Sequence, residues 1–212
     1  MTGLLASVRS AAEAALAVTA GADIVDAKEP SAGALGRVDP AILRAIVREV
    51  AGRCPVSATI GDLDLSPDRV SEAVESASAD GADIVKIGVF PGALEATWAA
   101  LCPLTRRGLR IVAVMFADCA PDLVKLSARS AEAKFFGVML DTADKASGPL
   151  MAHLDRQALA AFVDGEQLHR FVLRANEGFV QRDLLLHTAA FVGVMVPGMI
   201  NQNPAHGLCE HT

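Results

Sequence analysis

Ala22-Asp23-Ile24-Val25-Asp26-Ala27-Lys28-Glu29-Pro30 is an apolar run that ends in charged residues, and its first four residues recur unchanged at 82–85. A glycine precedes each copy, and a stretch with helical apolar spacing precedes each glycine. The repetition predicts a helix, glycine and strand unit that the chain uses more than once. Asp26 and Lys28 are two positions apart, so both side chains are expected on one face of the strand.

The rest of the chain continues this alternation. Helical patterns begin near residues 10, 39, 66, 94 and 122, and six strands are predicted at 4–8, 23–27, 55–60, 82–88, 109–116 and 135–140. Strands separated by helices indicate a parallel α/β fold. The even spacing favours a TIM (β/α)8 barrel over an open doubly wound sheet, which the pattern alone does not exclude.

The last third of the chain is less regular. Residues 170–173 and 189–196 are candidates for strands seven and eight, without a convincing helix between them. We therefore expect a single α/β-barrel domain over 1–212 that is either complete or irregular in its last two βα units. Residues 164–212 form an atypical C-terminal segment.

Composition excludes several classes of function. The 212 residues carry a net charge of −6 with scattered basic residues, which does not indicate a nucleic-acid partner. No apolar run is long enough for a membrane span and the first residues lack a signal-peptide pattern, so we expect a cytoplasmic protein with no membrane partner. The four cysteines and five histidines show no ligand spacing, so we expect no metal and no cofactor.

The chain has few lysines, and the positions of three of them indicate a site. Of five, Lys28, Lys86 and Lys145 fall at or just after the ends of predicted strands two, four and six, whereas Lys125 and Lys134 belong to a solvated helix surface. Barrel active sites are built from the carboxyl ends of several strands, so the first three should converge. A single lysine at a strand end is more often solvated, but three at matching positions favour a site.

Convergence would have a chemical consequence. Neighbouring ammonium groups and burial both disfavour the charged form of a lysine, which makes its amine a nucleophile for a carbonyl carbon. Asp26 and Asp141 could orient the amines, contact the substrate or move protons. Asp144 is better explained as a turn or capping residue.

Four motifs together resemble the (5-formylfuran-3-yl)methyl phosphate synthase family of methanofuran biosynthesis. They are 26–36 (DAKEPSAGALG), 57–62 (SATIGD), 85–88 (VKIG) and 139–145 (MLDTADK), and the resemblance covers roughly residues 1–163. It implies a TIM-barrel lyase that condenses two molecules of glyceraldehyde 3-phosphate, with loss of phosphate and water. It also implies that Lys28 is the Schiff-base lysine, Lys86 the proton acceptor, and Asp141 and Lys145 a further active-site pair.

Residues 164–212 depart from the family, because they lack the glycine-containing loops that family members carry there. Three alternatives therefore stay open. The chain could be another class I aldolase acting on a phosphorylated aldehyde, or a catalytically inactive barrel that binds a ligand. It could also complete its last strands through contacts in a homo-oligomer, using the apolar residues near 191–196.

Overall fold

The computed structural model describes residues 3–164, 172–176 and 192–195. Its strands are β1 (Gly3–Val8), β2 (Ile24–Ala27), β3 (Val56–Thr59), β4 (Ile84–Gly88), β5 (Arg110–Phe116), β6 (Gly137–Asp141), β7 (Val172–Asn176) and β8 (Val192–Met195). Its helices are α1 (Ala11–Thr19), α2 (Pro40–Val50), α3 (Pro67–Ala79), α4 (Leu94–Arg106), α5 (Leu123–Glu132), α6 (Leu150–His153) and α7 (Arg156–Asp164).

The first six strands pair in sequence order, and every pair is parallel. They form a curled sheet with a helix after each strand, so the predicted α/β fold is confirmed over this part. β7 adds parallel to β6, whereas β8 is antiparallel to both β7 and β1. All strands of a (β/α)8 barrel run parallel, so the direction of β8 departs from that pattern. The segments 165–171, 177–191 and 196–212 lie outside the described residues, and these include parts of the predicted strands at 170–173 and 189–196.

The repeated four-residue segment marks the same junction twice. The glycine before each copy adopts a left-handed conformation, with φ of 82° at Gly21 and 102° at Gly81, which allows the chain to leave a helix and enter a strand. Asp23 and Asp83 then each accept a hydrogen bond from a backbone N–H of the preceding strand, at 2.6 and 2.8 Å. The predicted repeat of a structural unit is confirmed, because these side chains tie β1 to β2 and β3 to β4.

Prolines start two of the helices where the sequence predicted them. Pro40 and Pro67 are the first residues of α2 and α3, and a proline at that position gives up no helical hydrogen bond. The Asp39 carboxylate caps α2 by accepting a hydrogen bond from the N–H of Ala41 at 2.7 Å. Within the described residues, none of the helices is long and apolar enough to cross a membrane.

Two apolar clusters lie on opposite sides of the sheet. The larger one packs the helices against the outward face of the strands, with α2 contributing Leu43, Ile46 and Val50 at helical spacing. The smaller one fills the inward face, and its buried members are Leu5, Ile24, Leu35, Ile84, Val112, Val114, Phe116 and Met139. Successive side chains of a strand point to opposite faces of the sheet, so membership of one cluster or the other shows which face each strand residue occupies.

Candidate active site

Charged side chains occupy the inward face where the apolar cluster ends. Asp26 lies two residues after Ile24, Lys86 two after Ile84, and Asp141 two after Met139, so alternation places all three on the inward face. Lys28 lies two residues after Asp26, directly after the end of β2. The relative exposures of Asp26, Lys28, Lys86 and Asp141 are 0%, 3%, 2% and 3%. Charged residues are almost never this buried unless they are paired, so the grouping requires an explanation.

The Asp26 carboxylate is the centre of one polar cluster. Its Oδ2 accepts hydrogen bonds from Lys86 Nζ at 2.6 Å and from the Ser7 hydroxyl at 2.9 Å. Its Oδ1 accepts a hydrogen bond from the Ser57 hydroxyl at 2.5 Å. Strand register explains the arrangement, since Ser7, Asp26 and Ser57 are successive partners across β1, β2 and β3. Lys86 and Asp26 therefore form a buried ion pair that two neighbouring strands support.

Lys28 and Asp141 form the second buried pair. The distance from Lys28 Nζ to Asp141 Oδ2 is 3.9 Å, which is an ion-pair distance longer than a hydrogen bond. The other Asp141 oxygen, Oδ1, accepts a hydrogen bond from the backbone N–H of Thr142 at 2.8 Å. Thus each of the two lysines has a carboxylate from a different strand within ion-pair distance.

The remaining sequence-predicted residues lie further along the chain. The backbone of Lys145 begins a 3-10 turn, Lys145–Ser147, after β6, and its side chain lies outside the described part of the structure. Asp144 caps this turn by accepting a hydrogen bond from the N–H of Ala146 at 2.8 Å, as predicted. Lys125 and Lys134 are exposed, which confirms the solvated interpretation of both.

The loop after β2 is fixed by a carboxylate from the next loop. Asp62 follows β3 and accepts hydrogen bonds from the backbone N–H groups of Ala34 and Leu35, at 2.8 and 2.7 Å. Gly33 allows the close approach, because a Cβ there would lie 2.2 Å from Asp62 Oδ2. The loop consequently folds inward, and Leu35 is fully buried in the inward apolar cluster.

Asp118 fixes the loop after β6 in a similar way. Its carboxylate oxygens accept hydrogen bonds from the N–H groups of Ala143 and Asp144, at 2.9 and 2.8 Å. Burial raises the pKa of the Asp118 carboxyl, but the backbone hydrogen bonds from Asp144 and Ala143 outweigh burial and hold that pKa below its ordinary value. The charged carboxylate is the form that holds this loop beside Asp141.

Aromatic and aliphatic side chains lie on the same inward face of the sheet as the two pairs. Phe90, which follows β4, packs against Phe116 at the end of β5, with ring centroids 5.0 Å apart and ring planes tilted by 41°. A Cβ on Gly88 would lie 2.2 Å from Phe90 and 3.0 Å from Leu35, so the absence of a side chain lets both approach β4. Apolar neighbours exclude water and strengthen charge interactions between the groups they surround.

The chemistry available here is that of amines with adjacent proton carriers. Two buried lysines can supply a nucleophile and a second amine, and two carboxylates can orient them or transfer protons. Within the described residues, no group of three or more histidine, cysteine, aspartate or glutamate side chains could hold a metal ion. Ser7 and Ser57 were not predicted to belong to this cluster, although Ser57 lies in the motif at 57–62, because their contacts with Asp26 depend on strand register.

Comparison with known proteins agrees with the resemblance seen in the sequence. A family model described as 4-HFC-P synthase matches residues 4–173, which extends ten residues beyond the range expected from the motifs. The (5-formylfuran-3-yl)methyl phosphate synthase of Methanosarcina acetivorans is 37% identical over 176 residues, covering 76% of this chain and 74% of that protein. The protein of the same name from Methanopyrus kandleri is 34% identical over 177 residues, covering 78% and 75%.

Solved structures agree on the fold. CutC from Streptococcus agalactiae superposes with a TM-score of 0.66, covering 83% of this chain and 88% of that chain, at 15% sequence identity. A likeness at this identity concerns the fold alone, and it supports a barrel-like α/β architecture.

Proposed function

Because this chain belongs to the 4-HFC-P synthase family, we propose that it condenses two molecules of glyceraldehyde 3-phosphate to (5-formylfuran-3-yl)methyl phosphate through a Schiff base on Lys28. The atoms balance when one inorganic phosphate and two molecules of water are released. The protein is then a carbon–oxygen lyase acting on phosphates, and its place is in cytoplasmic methanofuran biosynthesis. The substrate comes from the family relationship, and the support for the mechanism comes from the residues.

The observation that carries the proposal is the presence of two buried lysine–carboxylate pairs on one face of the sheet. Lys86 pairs with Asp26 at 2.6 Å and Lys28 with Asp141 at 3.9 Å. We assign the nucleophile to Lys28 because it matches the Schiff-base lysine that the family resemblance implies, and its amine must lose its proton before it can attack. An arginine could not replace either lysine, since a guanidinium stays protonated.

The first half of the reaction uses Lys28 as a covalent catalyst. Its neutral Nζ attacks the aldehyde carbon, a carbon–nitrogen bond forms, and the carbonyl oxygen leaves as water to give an iminium ion. The positive iminium acidifies the adjacent carbon, and Lys86, having passed its own proton to Asp26 through their hydrogen bond, accepts the proton released there. Asp141 lies beside Lys28 and transfers protons to and from the nitrogen and the departing oxygen.

In the second half, the enamine expels phosphate from the adjacent carbon, and the terminal carbon of the resulting enol forms a carbon–carbon bond to C2 of a second substrate molecule whose carbonyl has isomerised to that position. Loss of two molecules of water then gives the aromatic ring, and hydrolysis of the imine returns Lys28 to its starting form. Asp26 holds Lys86 in place throughout and receives its proton through their short hydrogen bond. The apolar neighbours Leu35 and Phe116 limit entry of water, which would hydrolyse the imine early.

Product analysis tests this function directly. The purified chain is incubated with glyceraldehyde 3-phosphate, and the products are separated and identified by mass spectrometry and by the ultraviolet absorbance of a furan aldehyde. We expect the furan phosphate together with inorganic phosphate from the wild type. Lys28→Ala should abolish both products, whereas Lys125→Ala, which removes an exposed lysine on α5, should leave them unchanged.

Other outcomes separate the alternatives. A different condensation product would assign another class I aldolase activity to the same lysine. Binding of glyceraldehyde 3-phosphate without any product would indicate an inactive barrel. Formation of the furan phosphate by Lys28→Ala at the wild-type rate would exclude the Schiff-base assignment.

A further inference from the structure

The Asp26 cluster contains two serines to which the proposed mechanism gives no task. Ser7 and Ser57 lie on the strands at either side of Asp26, and the register pairs both with it. Each serine has one O–H, and each donates it to the carboxylate, at 2.9 and 2.5 Å. Because the contacts come from both sides and fall on different oxygens, the carboxylate cannot turn without losing a hydrogen bond.

The orientation matters because two lysines lie near Asp26. Lys86 Nζ reaches Asp26 Oδ2 from β4, two strands away. Lys28 is two residues after Asp26 on the same face, and Cα atoms two residues apart in a strand are separated by about 7 Å. A carboxylate free to rotate could therefore pair with either lysine. With the hydroxyls in place, Asp26 is directed to Lys86, and Asp141 is the carboxylate within ion-pair distance of Lys28.

We propose that Ser7 and Ser57 are positioning residues that hold Asp26 on Lys86 and thereby keep it off the nucleophilic Lys28. The expected effect on kcat rests on the proposed function. The preference of Asp26 for Lys86 over Lys28 does not depend on it. The two serines touch no substrate in this scheme. They act by separating the roles of two chemically identical amines.

The test compares Ser57→Ala with Ser57→Thr, which retains a hydroxyl, and with Ser130→Ala. Ser130 is also fully buried, but its hydroxyl donates to the carbonyl of Leu126 and accepts from Trp98 Nε1, away from the site. Two readouts are used. One is the separate measurement of kcat and KM for glyceraldehyde 3-phosphate. The other is competitive acetylation of Lys28 and Lys86 by acetic anhydride without substrate, measured by peptide mass spectrometry.

We expect Ser57→Ala to lower kcat by about ten- to a hundredfold, with KM changed by less than about threefold, because a hydrogen bond to a charged group is lost. Acetylation of Lys86 should become faster and that of Lys28 slower. Ser57→Thr should restore most of the activity, and Ser130→Ala should resemble the wild type.

The remaining outcomes separate the positioning role of Ser57 from a structural role and from the proposed function. A fall in kcat without any change in the acetylation of either lysine would mean that Ser57 is merely structural and would overturn the proposal, as would unchanged kcat and acetylation. A wild type that makes no furan phosphate, but whose lysine acetylation responds to Ser57→Ala as described, would refute the proposed function and leave the positioning role standing. If Ser57→Ala does not fold, Ser7→Ala, at a half-buried position, gives the same comparison.

Discussion

Replacing Asp26 by asparagine should destabilise the protein strongly, because it breaks a buried ion pair. The variant keeps the size of the side chain but leaves the Lys86 ammonium, 2% exposed, without its carboxylate. The new amide also presents an NH2 group where one oxygen accepts hydrogen bonds at present. Removing one partner of a buried pair typically costs about 3–5 kcal/mol. We expect Asp26→Asn to lie in that range.

The free energy of unfolding can be measured by urea titration, followed by the fluorescence of the single tryptophan, Trp98, which is 4% exposed. Glu75→Gln is the matched control, because Glu75 pairs with Arg107 at 2.8 Å with side-chain exposures of 45% and 60%. That exposed pair should contribute less than about 1 kcal/mol. The double variant Asp26→Asn/Lys86→Met should cost less than the sum of the single changes, since it removes both charges together.

A cost for Asp26→Asn below about 1 kcal/mol, equal to that of Glu75→Gln, would refute the reasoning. It would mean that water reaches Lys86 or that the pair is not formed in solution. Additive effects of Asp26→Asn and Lys86→Met would contradict the pairing itself.

Two further predictions concern the loops and one the assembly. Gly33→Ala should lower the free energy of unfolding, measured by urea titration, more than Gly108→Ala does. Both glycines have a positive φ, but only at Gly33 would the new Cβ meet the carboxylate of Asp62. Equal losses in the two variants would show that the contact with Asp62 is absent. The pKa of Asp118 is lowered in the folded state, so its stabilisation of the loop is present at neutral pH and is lost as the pH falls below about 4. Hydrogen exchange should show lost protection of the Ala143 and Asp144 amides in Asp118→Asn at pH 7 and in the wild type at low pH, and unchanged protection in the variant would exclude the contact. Because β8 pairs with β7 and β1 of the same chain, the last strands do not need a partner copy and light scattering should give the mass of a monomer; the mass of an oligomer would favour the alternative in which copies complete the sheet.

Much of the fold could be predicted because the signals are local. The four-residue repeat reflects one junction used twice, and the proline starts of α2 and α3 are visible as Asp39-Pro40 and Ser66-Pro67. Alternation also predicted that Asp26 and Lys28 share a face, since the period of a strand is fixed by its backbone. The direction of β8 could not be predicted in this way, because apolar alternation is the same for a strand running either way.

The pairing of lysines with carboxylates in the candidate site was harder to predict from the sequence. The sequence suggested that lysines converge, but which carboxylate meets which lysine depends on strand register, and register is set by long-range contacts. The pairing of Asp26 with Lys86 joins residues sixty positions apart. The roles of Asp62 and Asp118 as supports for neighbouring loops were missed for the same reason, since each contacts backbone groups at least 25 positions away.

The central claim is that Lys28 forms the covalent intermediate. Borohydride reduction of the protein during incubation with glyceraldehyde 3-phosphate, followed by peptide mass spectrometry, locates any trapped adduct on one lysine. We expect a reduced adduct on Lys28, none in Lys28→Ala, and an adduct on Lys28 again in Lys125→Ala. An adduct that persists in Lys28→Ala, or one found on Lys86 in the wild type, would contradict the account.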